Sequence, residues 1–177
     1  MEKEASVRKK RSIDMDDVMA ISNSNEDEKS PVNEVLTRLK KIFPCEKFIV
    51  TGGQALKVYG LVEKADDIDI ILIKPTEFTE QTLELYQEQF PAKTKPHTKY
   101  SGELGLKSIF MFYGWKVDVF IINEDDSTLK IKEFNYATIT SIIQAKKGYN
   151  RMKDWVQLRK MGRVFFKEEE FINYLNK

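Results

Sequence analysis

The sequence predicts an α+β fold (mixed α/β), with a small mixed sheet of four or five strands, helices on one face and a C-terminal helical segment. Three observations predict it. Runs rich in β-branched residues, "KFIVT" and "DDIDIILI", alternate with segments of helical period. Two further strand-like runs, "LKSIFMFYG" and "WKVDVFIIN", meet at Tyr113-Gly114 and read as a hairpin. From Phe134 onward the pattern is helical, punctuated at Gly148 and Gly162, and should yield two or three helices. Strands with helices between them, then a meander, then a helical tail, describe layers around one core.

A chain of 177 residues has room for one domain with a sizeable core and is short for two. Its 41% hydrophobic and 32% charged residues are those of a soluble globular protein, and no apolar run approaches the ~20 residues of a membrane span. No membrane association is expected. The basic start lacks the apolar stretch of a secretory signal, and the single cysteine, Cys45, has no internal partner, so a reducing, cytoplasmic setting is expected. A net charge of +1 leaves nucleic acid open, because distribution matters more than the sum.

Residues 1–30 carry "RKKR" and "SNSNEDEKS" with little apolar material and are expected to form a mobile tail, with a short helical turn near Asp14 to Ile21. Residues 31–135 are expected to form the core and 136–177 a helical segment packed on it. In "SPVNEVLTRLKKIF" Ser30 is expected as N-cap and Pro31 at the first helical position, with Val32, Val35, Leu36, Leu39 and Ile42 on one face. "KFIVT" follows as a strand, and "GGQALKVYG" reads as a tight turn opening a helix that closes at Gly60. "TEFTEQTLELYQEQF" is a helix capped by Thr76.

Chemistry concentrates in "DDIDIILI". Asp67 and Asp69 are two apart on a strand, so they leave the same face, and a third acid, Asp118, lies in the similar strand "WKVDVFII". Carboxylates beside a core cost several kcal/mol unless compensated. A divalent cation compensates them, since Mg²⁺ favours a few carboxylates completed by water and phosphate oxygens. Two such ions ~3.5–4 Å apart activate a hydroxyl and stabilise a leaving pyrophosphate. In "VTGGQAL" the strand ends at a glycine turn, and a helix begins with free N–H groups, which suits phosphate. The competing readings are inert exposed acids at a strand end and a plain turn.

A strand, then Gly-Gly-x-Ala-Leu opening a helix, then Asp-Ile-Asp-Ile, then a distant strand with one Asp resembles the DNA polymerase β-like nucleotidyltransferase superfamily. The resemblance implies that Gly52 and Gly53 contact a nucleoside triphosphate and that Asp67, Asp69 and Asp118 bind Mg²⁺ or Mn²⁺. "SIIQAKKGYNRMKDWVQLRKM" resembles the helical pair of minimal nucleotidyltransferases, including AbiEii-like abortive-infection toxins. That likeness implies a site completed by Lys146 and Asp154, with Arg151 and Lys153 between them, and admits an antitoxin-like protein partner. Gln54 and Lys64 complete the expected donor site. Many members place Arg and Ser or Thr before the first acid, where this chain has Lys64 and Ala65. The alternative function is therefore a binding, scaffold or virion component that keeps the fold without the chemistry.

The span from Lys146 to Arg163 holds seven basic residues against one acid, Asp154. With Tyr149, Trp155 and Lys93, Lys95 and Lys99 it is read either as a wall for RNA or as a solvated helix face whose core side is Trp155, Val156 and Leu158. The only histidine, His97, is expected on a surface loop, which leaves histidine-based catalysis little to build on. Cys45 is expected to be packing.

Overall fold

In the computed structural model, which describes residues 29–93, 106–123, 128–131 and 133–165, the chain runs α1 (Val32–Ile42), β1 (Cys45–Thr51), α2 (Gly52–Val58), β2 (Asp67–Pro75), α3 (Glu77–Gln89), β3 (Leu106–Phe112), β4 (Trp115–Ile122), β5 (Thr128–Ile131), β6 (Phe134–Ala137), α4 (Ile139–Tyr149) and α5 (Met152–Phe165). The six strands form one open sheet in the order β3-β4-β2-β1-β6-β5. Pairing is mixed: β2 runs parallel to β4 and β1 to β6, and the other neighbours are antiparallel. This is the expected α+β class with a larger sheet. The expected tail up to residue 28, with "RKKR", lies outside the described residues, as do Lys95, His97 and Lys99; Lys29 and Ser30 are described and pack on Trp115.

The additional strands are β5 and β6. Both have four residues, too few for a period to separate strand from helix. Phe134 to Ala137, expected as the start of a helix, instead add a strand beside β1, burying Phe134, Tyr136 and Ala137. Helix α4 begins after them, where Thr138 accepts from the Ser141 amide at 3.2 Å as its N-cap. Gly148 and Gly162 sit inside α4 and α5 and interrupt neither. The break falls at Asn150, whose left-handed backbone (φ +52) ends α4.

Helix α1 buries Val35, Leu36 and Leu39, as its spacing predicts. Pro31, rather than Ser30, is its N-cap, and no side chain caps it. Ser30 is used elsewhere: its carbonyl accepts from Trp115 Nε1 at 2.8 Å, and its amide donates to the Tyr113 carbonyl. Thr76 caps α3 as expected, accepting from the Thr79 amide. Tyr113 and Gly114 both have positive φ, the turn that suits a two-residue hairpin between β3 and β4.

One face of the sheet carries Ile68, Ile70, Phe110, Phe112, Val117 and Val119, all buried, and helices cover it. Phe43, at the end of α1, and Tyr86 of α3 meet Phe110 with ring centroids 5.8 and 5.5 Å away. Each such side chain contributes roughly 1.5–3 kcal/mol by leaving water. Alternation then sends Asp67, Asp69, Lys116 and Asp118 to the other face.

Candidate active site

The parallel register of β2 and β4 sets Asp69 beside Asp118, and Asp67 beside Lys116. Asp118, distant in sequence, thereby joins the Asp67 and Asp69 pair in one patch: a carboxylate oxygen from each of the three lies within 4.8 Å of the others. That spacing is about what one or two hard divalent ions span.

These carboxylates are incompletely satisfied. Lys116 Nζ lies 3.1 Å from Asp67 Oδ2 and 3.1 Å from Asp118 Oδ2. Asp118 Oδ1 is buried with no hydrogen-bond partner among the described residues, an arrangement that costs about 1–3 kcal/mol or more for a charged group. Burial, followed by the charges of Asp67 and Asp118, pushes the Asp69 carboxyl up from 3.8 to about 8. Burial also raises Asp118, against the opposing Lys116 ammonium. Burial alone would lower Lys116, but Asp118 and Asp67 outweigh it and hold the ammonium above its ordinary value.

The glycine turn faces this patch. Gly52 has φ +59, and a Cβ placed on it would stand 2.1 Å from Asp69 Oδ2. Only glycine fits there, for its backbone and for the space it leaves in front of the carboxylate. Gly53 packs against Ala65, 3.1 Å from where its own Cβ would be. The small residue preceding the acids is therefore part of how the turn seats.

The patch opens into a cleft of about 270 Å³ whose opposite wall is α4 and the start of α5. Lys146, with only 11% of its side chain exposed, reaches Asp154 Oδ1 at 3.4 Å. Arg151 donates to the same acid from Nε at 2.6 Å and from Nη2 at 3.1 Å. Asp154 is 1% exposed. Burial would raise it, but the Arg151 hydrogen bond and the Lys146 charge prevail and hold it below the usual carboxylate range. Arg151 also lies over the Tyr149 ring, 5.0 Å from its centroid, and burial beside Asp69 pushes that phenol up to about 12.

The structure thus brings Gly52, Gly53, Lys64, Asp67, Asp69, Asp118, Lys146, Arg151, Lys153 and Asp154 to one cleft. Gln54 stands behind it: buried, it donates from Nε2 to the Asp67 carbonyl at 3.0 Å and ties α2 to β2. Lys116 escaped the sequence reading, although its place two residues before Asp118 puts it on the same strand face. The expected core side of α5 is also corrected. Leu158 and Met161 are buried together with Asp154, whereas Trp155 and Val156 are exposed. The Asp154 ion pairs and Leu158 set the phase of the helix and turn Trp155 outward.

Chemically, the triad fits a divalent cation on three counts: hard oxygen donors, an orphaned buried oxygen, and a glycine that keeps the approach clear. No helix among the described residues is long and apolar enough to cross a membrane. Cys45 is half-buried, and burial pushes its thiol up to about 11, which suits packing and not nucleophilic work.

No family model matches the chain, and no curated protein matches it. Among solved structures it is similar to TM1012 of Thermotoga maritima, described provisionally as a nucleotidyltransferase. The two share 16% identity over 77% of this chain and 97% of that one, with a TM-score of 0.44. It is also similar to JHP933 from Helicobacter pylori, at 18% identity over 81% of this chain and 70% of that one, with a TM-score of 0.45. Likenesses at this level concern the arrangement of elements and carry no argument about activity, which rests on the cleft itself.

Proposed function

We propose that the chain is a metal-dependent nucleotidyltransferase, moving a nucleoside monophosphate from a nucleoside triphosphate to a hydroxyl acceptor. The observation that carries this reading is the Asp67, Asp69 and Asp118 cluster, with its orphaned oxygen, facing a glycine turn across a cleft walled by lysine and arginine. The acceptor oxygen bonds to the α-phosphorus, the bond to the bridging oxygen breaks, and pyrophosphate leaves. Asp67, Asp69 and Asp118 would hold Mg²⁺ or Mn²⁺, which supplies Lewis acidity to the phosphate oxygens. Asp118 orients the acceptor hydroxyl and takes its proton. Gly52 and Gly53 let the triphosphate approach the backbone, and Lys146, Lys153 and Lys64 offset its charge.

Asp154 acts in this scheme as a positioning residue: already ionised and triply bonded, it holds Lys146 and Arg151 toward the cleft. The Lys146…Arg151-x-Lys153-Asp154 order supports a minimal transferase of the AbiEii-like kind. RNA is the acceptor class that best suits the exposed Trp155 beside Arg159 and Lys160. A second reading, a retained fold without chemistry, is favoured by one observation, the Lys116 ammonium already sitting between two of the acids.

Incubation with each labelled nucleoside triphosphate and Mg²⁺ in cell extract, followed by separation of RNA, protein and small molecules, tests both. Label transfer is expected, with Asp69→Asn reducing it on the order of 10²–10³-fold. A well-folded Asp69→Asn protein with full activity would remove the assignment.

A further inference from the structure

We propose that Lys116 is a resident counter-cation of the carboxylate site, which a divalent ion must displace, so that this one side chain sets the site's metal affinity. The inference rests on the metal-site reading above and goes beyond it. Nζ sits 3.1 Å from Asp67 Oδ2 on the neighbouring strand and 3.1 Å from Asp118 Oδ2 on its own. Those are two of the three acids whose oxygens cluster within 4.8 Å. An ammonium and a divalent ion placed between the same carboxylates repel each other, so the two cannot share the pair.

The register puts Lys116 within reach of both acids. Lys116 is the partner of Asp67 across the parallel β2–β4 ladder, and it precedes Asp118 by two residues on the same face. Release is also available, because 30% of the Lys116 side chain is exposed and its flexible stem can carry the charge into the cleft. Lys116 touches two of the three acids and leaves Asp118 Oδ1 with no hydrogen-bond partner among the described residues. Lys116 therefore keeps the metal-free site together without closing it.

The experiment is Mn²⁺ titration of the 177-residue chain, stripped with chelator and dialysed, reading free Mn²⁺ by electron paramagnetic resonance. Wild type, Lys116→Met, Lys116→Arg and Asp69→Asn are compared, with circular dichroism confirming the fold of each. Lys116→Met, similar in length and uncharged, is expected to bind Mn²⁺ roughly ten-fold or more tightly than wild type. Lys116→Arg, which keeps the charge, should bind no more tightly than wild type. In chelator, Lys116→Met should melt below wild type, and its gain on adding Mn²⁺ should be the larger. Mere damage to the site would weaken binding, the opposite sign.

Equal or weaker binding by Lys116→Met, while wild type binds and Asp69→Asn does not, overturns the role of Lys116 and leaves the metal site standing. Tighter binding by Lys116→Arg as well overturns it too, since charge would not be the cause. Absence of Mn²⁺ binding in both wild type and Lys116→Met overturns the site reading together with this one. Should Lys116→Met not fold, Lys116→Gln, neutral but still able to donate to both acids, reads the same affinity.

Discussion

The two walls of the cleft hold the same kind of residue in opposite states. On the sheet side Asp69 is pushed up to about 8, and Asp118 keeps a buried oxygen without a partner. On the helix side Asp154, 1% exposed, accepts from Arg151 twice and from Lys146, and it is held ionised. At Asp69 burial prevails, whereas at Asp154 the Arg151 and Lys146 partners outweigh it. Donors within reach therefore offset the cost of burial on one wall and not on the other. Asp154 is complete within the chain and belongs to the framework, whereas the sheet acids have a positive charge still to gain.

The contrast breaks most sharply at Asp154. Asp154→Asn leaves the nearly buried Lys146 ammonium facing a neutral amide, and denaturant unfolding should show a loss of about 3–5 kcal/mol. A loss under ~1 kcal/mol, the range of an exposed pair, would mean that the helix wall is no more complete than the sheet. The turn comes next. Gly52→Ala strains a left-handed residue and drives a methyl into Asp69, so it should cost about 1–3 kcal/mol and abolish the rise in Tm on adding Mg²⁺. Gly148→Ala is its control: the space there is open and the residue is helical, so stability should rise by about 0.5–1 kcal/mol.

The pH dependence separates the walls more gently and with opposite signs. Folded Asp69 holds a proton that the unfolded chain releases, so the metal-free protein should lose stability as pH rises from 3.8 toward about 8. Folded Asp154 is the better acid, so its contribution is present above the ordinary carboxylate value and lost as pH falls below 3.8. Thermal melts in chelator across this range should show both limbs. Asp69→Asn should flatten only the alkaline one, and an unchanged alkaline slope would place the proton on another group.

Much of the site is legible in the chain because its signals are local. Asp67 and Asp69 share a face by strand alternation, Gly52 marks the turn, and Thr76 and Tyr113-Gly114 sit where their chemistry predicts. Harder to read were features that depend on neighbours remote in sequence. Phe134 to Ala137 become a strand because β1 offers a free edge, and Trp155 turns outward because Asp154 and Leu158 take the buried side.

By itself, then, the sequence determined which residues can carry the chemistry: alternation, caps and glycine freedom act over a few positions and need no partner. Only the tertiary structure decided what those residues face. The β2–β4 register chose Lys116 as the neighbour of Asp67 and Asp69 as that of Asp118, and the α4–α5 packing brought Lys146 onto Asp154. A one-residue slip of that register would send the whole set of side chains to the other face. Alternation fixes the face each strand buries, but which residue of β4 lies beside Asp67 is settled only when the two strands pair.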